Sequence, residues 1–382
     1  MRVVFLLSTV LGATAIFMSA NQPANHHSKY LLYVGAYGKG IEAYRFDSEN
    51  AKFEPLGLVG EIQNPSFLAS DPQNRFLYAV SELEGNKDGG VGAFRIDRKS
   101  GHLTPLNHQS SGGVAPCHLA VDHASKVLMA ANYGTGSVPV FPLEADGRLG
   151  ARSALLTAKG SSADPERQAG PHAHEIVISK DDRFVYVPDL GLDQIRIYQL
   201  DAVSGNVTPH DPPFAKEEPG LGPRHIVFSS DERFAYVINE LKSVVAVFKH
   251  DPANASFQQI QAISSLGDDK EADGAAEILI DRAGKFLYAS NRDVTGHGTG
   301  TIGVFAIDGT NGTLKHVQIA QSGGTFPRGV EFDPTGKFLL VGDQKANYFV
   351  LFQVDPATGK LTPTGQKLQT PSPVGFLFVP AE

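Results

Sequence analysis

The chain has 382 residues, with 33 Lys and Arg against 41 Asp and Glu, a net charge of −8. That balance excludes a nucleic acid or an anionic membrane surface as the natural partner, because each draws a basic face. Hydrophobic content of 41% excludes a disordered or fibrous chain, and a single cysteine, Cys117, excludes both an intramolecular disulfide framework and a multi-cysteine zinc site.

The elements begin with Met1-Arg2, an apolar run from Val3 to Met18, then Ser19-Ala20 and a polar stretch. A short positive start, a short apolar centre and a small residue before polar sequence predict a secretory signal over 1–20, and hence a secreted or periplasmic protein. A linker follows over 21–27. No other segment approaches the ~20 residues of a membrane span.

From 28 to 382 the chain repeats. SKYLLYVGAY (28–37) opens the series. DPQNRFLYAV (71–80), DHASKVLMAA (122–131), SKDDRFVYVP (179–188), SSDERFAYVI (229–238), DRAGKFLYAS (281–290) and DPTGKFLLVG (333–342) continue it. Between Phe76, Val127, Phe184, Phe234, Phe286 and Phe338 the spacings are 51, 57, 50, 52 and 52. A period near 50 with strand-like content means propeller blades or a solenoid. Each unit divides into four short apolar or alternating runs separated by Asp, Pro, Gly and Ser turns, the signature of strands and hairpins. First strands are expected near Asn64, Pro116, His172, Pro223, Ala275, Pro327 and Pro373. The chain starts on a second strand and ends on an orphan first strand, PVGFLFVP (373–380). Pairing the two closes the ring, so the predicted fold is all-β: one seven-bladed β-propeller over 28–382.

In such a blade the start of the first strand and the end of the second lie at one end of the sheet, and the first strand lines the channel. The residues expected at that mouth are Asn64, Glu82, His118, Asn132, Tyr133, His172, His174, Asp189, Arg224, His225, Glu240, Glu277, Asn291, Arg292, Arg328 and Gln344. Convergent polar side chains in a concavity are a binding-site hypothesis. Asp189, Asn291 and Asn64 are read as structural members. Alternation is expected to turn either Arg224 or His225 away from the channel, and to put His172 and His174 on one face.

NPSFLA (64–69), ANYGTGSV (131–138), GPRHIVF (222–228), INEL (238–241), AAEI (275–278) with SNR (290–292), and FPRGVEF (326–332) resemble the lactonase family of seven-bladed propellers, which includes bacterial 6-phosphogluconolactonase and fungal carboxymuconate cycloisomerases. The resemblance implies a catalytic set at His174, Arg224, Glu240 and Arg292. From their positions at the mouth, His118, Asn132, Tyr133, His172, Glu277, Arg328 and Gln344 are read as substrate contacts, although Pro327-Arg328-Gly329-Val330 and Asp343-Gln344 depart from the family's usual strings, which counts against Arg328 and Gln344. The expected activity is opening of a sugar or sugar-acid lactone. A muconate-type cycloisomerisation and a non-catalytic secreted binding propeller are the alternatives.

Lactone hydrolysis needs a base for water and donors for the oxyanion. Glu240 or His174 would serve as base, and the arginine forks suit an oxyanion or a carboxylate. Calcium wants six to eight oxygens, mostly from carboxylates, whereas this mouth is rich in His and Arg. No metal and no cofactor are therefore expected. Cys117 is read as a small buried hydrophobe, and a monomer acting on a small-molecule lactone or carboxylate is expected.

Overall fold

The computed structural model describes residues 28–85, 87–267, 274–296 and 298–382; the predicted signal and the whole of the linker lie outside them. All regular elements among the described residues are strands, arranged in seven four-stranded antiparallel sheets. The inner strands are Pro373–Pro380, Leu68–Ser70, Pro116–Val121, Val177–Ile178, Pro223–Phe228, Gly274–Ile280 and Pro327–Phe332. The expected closure is present: Pro373–Pro380 pairs with Lys29–Ala36, from Tyr30 opposite Pro380 to Gly35 opposite Gly375. First blade and last strand thus form one sheet.

Second strands such as Phe76–Ser81, Phe184–Asp189 and Phe234–Asn239 are buried at every position. They are flanked by sheet on both faces, so their sequences run apolar instead of alternating. Outer strands such as Leu361–Gln369 face water and carry the polar residues. Seven apolar clusters fill the seven gaps between neighbouring blades. The last unites Leu32, Val34 and Tyr44 of the first blade with Leu340, Phe349 and Leu351 of the seventh. The ring is therefore closed by packing as well as by strand pairing.

The recurring turn string has a local cause. Asp71 Oδ1 accepts from the backbone N–H of Arg75 (2.6 Å) and Phe76 (2.8 Å), and Asp122 and Asp281 repeat the pattern. Ser179 Oγ does the same for Arg183 and Phe184. The residue before the closing Arg or Lys is left-handed: Asn74, Ser125, Asp182 and Glu232 in four blades, Gly284 and Gly336 in two others. Only in the glycine blades is this turn free of Cβ crowding.

Two inner strands differ from expectation. That of the second blade starts at Leu68, because Asn64 takes a φ of 49° that no strand accommodates. In the fourth blade, the His172 N–H goes to the Asp189 carboxylate (2.7 Å), and regular pairing resumes only at Val177.

A buried tyrosine on several second strands reaches into the next blade. Tyr33, Tyr78 and Tyr288 donate to the carbonyls of Gly101, Gly147 and Gly359, at 3.1, 3.1 and 2.8 Å. The Tyr236 hydroxyl, equally buried, has no partner. Tyr288→Phe should therefore lower unfolding free energy by ~1–3 kcal/mol, since it orphans the Gly359 carbonyl. Tyr236→Phe should be neutral or stabilising, and urea titration of both variants checks the contrast.

Candidate active site

The inner strands carry a β-bulge near their mouth end, where pairing skips Cys117, Arg224 and Arg328 in three blades. A bulge inserts a residue and re-aims the side chains around it. The expected alternation of Arg224 and His225 fails for this reason. Both side chains are buried, and Arg224 Nη1 lies 3.3 Å from His225 Nε2.

Glu240, just past the strand Phe234–Asn239, is the centre of the mouth. Its Oε1 accepts from Arg167 Nη2 at 2.7 Å, and its Oε2 lies 3.1 Å from Arg292 Nη2. Arg224 Nε is 3.2 Å from Oε2, a charge contact in which the N–H is not aimed at the oxygen. Burial alone would raise the Glu240 pKa, but Arg292, Arg224 and Arg167 together hold it at about 2. The carboxylate is therefore ionised and a poor base.

The arginines are held in turn by backbone. Arg292 donates from Nε to the Gly274 carbonyl (2.8 Å) and from Nη2 to that of Ala275 (3.0 Å), with Phe326 beneath its guanidinium. Burial pulls its pKa down to about 10, which still leaves it charged at neutral pH. Arg224 Nη1 donates to the Ala276 carbonyl at 2.5 Å.

His174 is buried beside this cluster. Its ring meets Tyr133 and His225 edge-on, with centroids 5.4 and 5.2 Å away. Burial first, and then the charge of Arg224, push its pKa well below the ordinary 6.5. His174 is thus a neutral imidazole at neutral pH. Tyr133 also stacks on His172 at 4.6 Å and accepts, through its carbonyl, the His172 Nδ1–H at 2.8 Å. His172 and His174 therefore share one aromatic neighbour, although both precede the paired strand Val177–Ile178 and so do not test the alternation expected of them. Cys117 is buried with its sulfur 3.8 Å from His174 Nδ1, and burial pushes its thiol up, away from thiolate chemistry.

Arg328 projects from its bulge over the Tyr37 ring, 3.8 Å from Glu82 Oε2. Glu82 is itself occupied by the Tyr37 hydroxyl (2.8 Å) and by Ser66. Arg328 thus has an ion pair but, among the described residues, no hydrogen bond, although its side chain is only 18% exposed. Gln344 follows the strand Phe338–Asp343, and its side-chain carbonyl is buried without a partner.

Three expected substrate contacts are engaged elsewhere. The Asn132 amide is fully buried and donates to the Ser111 carbonyl and the Ser137 hydroxyl, tying a loop instead of facing the channel. His118 sits deeper, tilted against Phe67 with ring centroids 3.8 Å apart, its Nδ1 accepting from the Ile176 N–H at 3.3 Å. Glu277 pairs with His225 at 2.6 Å. His118 and Glu277 line a separate cavity of about 320 Å³ further along the inner strands. The three residues read as structural are so placed: Asp189 binds Arg196, Asn291 binds Ser265 and Thr301, and Asn64 binds the Glu82 carbonyl.

Sequence reading missed Arg167 and Tyr37. Arg167 lies in the segment 157–171 that joins the third and fourth blades, and the sole trace of it was the long spacing of 57 residues between Val127 and Phe184.

A family model described as a seven-bladed β-propeller lactonase matches residues 31–378. The chain belongs to this lactonase family. The 6-phosphogluconolactonase of Bacillus subtilis is 36% identical over 360 residues, spanning 92% of this chain and 99% of its own. That of Formosa agariphila is 33% identical, spanning 88% and 96%. The solved periplasmic gluconolactonase of Pseudomonas aeruginosa superposes with a TM-score of 0.86 at 32% identity, covering 93% of this chain and all of that one. The protein is a lactone hydrolase.

Because Glu240 balances three guanidiniums, Glu240→Gln should destabilise this lactonase by ~3–5 kcal/mol, as expected for stranded buried charge. Arg167→Ala removes a cation whose side chain is 43% exposed and should cost under ~1 kcal/mol. The Glu240 contribution is complete above its ordinary pKa of 4.5 and is lost as pH falls toward 2. Denaturant titrations of the variants, and of wild type between pH 7 and 3, check all three.

Proposed function

We propose that the lactone is opened at the channel mouth with His174 as the general base, and that the substrate is an unphosphorylated aldonolactone met outside the cytoplasm. The carrying observation is the contrast between two adjacent groups. Glu240 is tied to Arg167, Arg224 and Arg292, and protonating it would break those contacts, whereas the His174 imidazole, although burial and Arg224 lower its pKa, is neutral with no ion pair among the described residues to give up. His174 takes a proton from the attacking water, and Arg224 and Arg292 offset the negative charge that develops on the carbonyl oxygen. The imidazolium then returns the proton to the departing ring oxygen. Arg328, the mouth arginine without a hydrogen bond, takes the polar chain of the sugar acid, with Tyr133, His172 and Gln344 along the rim. Four arginines face two carboxylates here, a surplus that suits an oxyanion and the carboxylate of the product.

Export is supported by the composition of residues 1–20 and by the periplasmic character of the Pseudomonas relative. An exported enzyme has no access to the cytosolic phosphorylated lactone.

The test is hydrolysis of glucono-1,5-lactone and of its 6-phosphate, corrected for spontaneous opening. The unphosphorylated lactone should have the higher kcat/KM; a clear preference for the phosphate overturns that assignment. His174→Asn should lower kcat by ~100-fold or more, and wild-type rates in this variant would remove His174 from the chemistry. Because burial lowers the His174 pKa, kcat/KM should stay level as pH falls from 8 through 6.5 and decline only below that.

A further inference from the structure

We propose that His225 and Glu277 form a positioning pair for Arg224: a buried carboxylate and imidazole that fix the guanidinium in the orientation the mouth requires. The proposal rests on the role given to Arg224 above, and it draws on two side chains which that reading leaves unused.

Proton bookkeeping sets the direction of each bond. A guanidinium only donates, so at 3.3 Å the His225 Nε2 must accept from Arg224 Nη1 and carry no proton. The single imidazole proton then sits on Nδ1 and is donated to Glu277 Oε1 at 2.6 Å. Glu277 Oε1 also accepts from the Ile278 N–H at 3.1 Å, and the Glu277 N–H is bound by Ser290 Oγ at 2.9 Å. The carboxylate is therefore anchored to its own strand. The line runs from Glu277 through His225 to Arg224 and on to Glu240, and it crosses from the sixth blade to the fifth.

Without this line, Nη1 would keep only the Ala276 carbonyl. The Arg224 Nε–H makes no hydrogen bond to Glu240 despite the 3.2 Å contact, so Glu240 alone does not fix the plane of the fork. With Nη1 held by both Ala276 and His225, the guanidinium cannot rotate about its long axis. Nη2, which makes no hydrogen bond among the described residues, is left for the substrate. Small displacements of an oriented group cost large factors in rate.

Around His225 stand Arg224 on its own strand, Glu277 from the sixth blade, His174 from the fourth and His118 from the third, with ring centroids 5.2 and 5.5 Å away. Burial lowers the His225 pKa, in keeping with a neutral ring that accepts from an arginine.

A double-mutant cycle on lactone hydrolysis tests the proposal. His225→Leu should lower kcat/KM by ~10–100-fold in the wild-type background and by less than twofold when Arg224 is already Ala. His225→Gln, which supplies an acceptor where Nε2 stood, should recover most of the loss, with circular dichroism confirming the fold of each variant. Equal losses in both backgrounds overturn the positioning role while leaving the catalytic role of Arg224 intact. An Arg224→Ala variant at wild-type rate overturns the parent reading, and the pair with it. ¹⁵N NMR of the histidines gives a readout independent of activity. A neutral His225 protonated on Nδ1, changing in Glu277→Ala, is expected; protonation on Nε2 overturns the proposal whatever the kinetics show.

Discussion

Everything in this molecule depends on one antiparallel pairing, that of the final strand with the first. Seven sheets arranged radially would otherwise leave one exposed sheet edge and one exposed apolar face. With Pro373–Pro380 hydrogen-bonded to Lys29–Ala36, the last gap fills with Leu340, Phe349 and Leu351 against Leu32 and Val34. The inner strands are then held against their neighbours around the channel. Side chains contributed from distant parts of the sequence meet at one mouth because every blade is packed between two neighbours in the closed ring.

That fixed frame is what allows so much charge to be buried in a small space. Glu240 and the arginines around it come from the third-to-fourth blade connection and from the fifth and sixth blades. Each buried guanidinium also finds a backbone carbonyl, at Gly274 and Ala275 for Arg292 and at Ala276 for Arg224. Buried ions left without such partners are costly. The frame therefore supplies both the opposite charge and the remaining acceptors, and it keeps His174 neutral in the midst of the positive field.

Much of this was legible in the sequence, for physical reasons. The repeat is visible because each blade needs the same apolar second strand and the same Asp- or Ser-capped turn, and the orphan strand at the end announced the closure. His174, Arg224, Glu240 and Arg292 were placed by their positions in the repeat and by resemblance. What escaped depends on contacts that no period encodes. Arg167 reaches Glu240 from an insertion outside the repeat, and an extra bulge residue cannot be seen in an alternating string, so Arg224 and His225 were expected to part. Asn132 occupies a mouth position but is spent on Ser111 and Ser137. The work of Glu277 is set by an imidazole in the neighbouring blade.

The bulge has a consequence for how such a ring diversifies. The same backbone irregularity recurs on several inner strands, and the residue it releases is Cys117 in one blade, Arg224 in another and Arg328 in a third. Since this residue sits outside the paired ladder, its identity is decoupled from strand register, and each of the three reaches across to another blade: Cys117 to His174, Arg224 to Ala276 and Arg328 to Glu82. The fold thus presents a circle of interchangeable sockets around one opening. Substitution there changes the chemistry of the mouth without shifting strand register, provided that the charges the residue balances, such as Glu240 beside Arg224, are rebalanced with it.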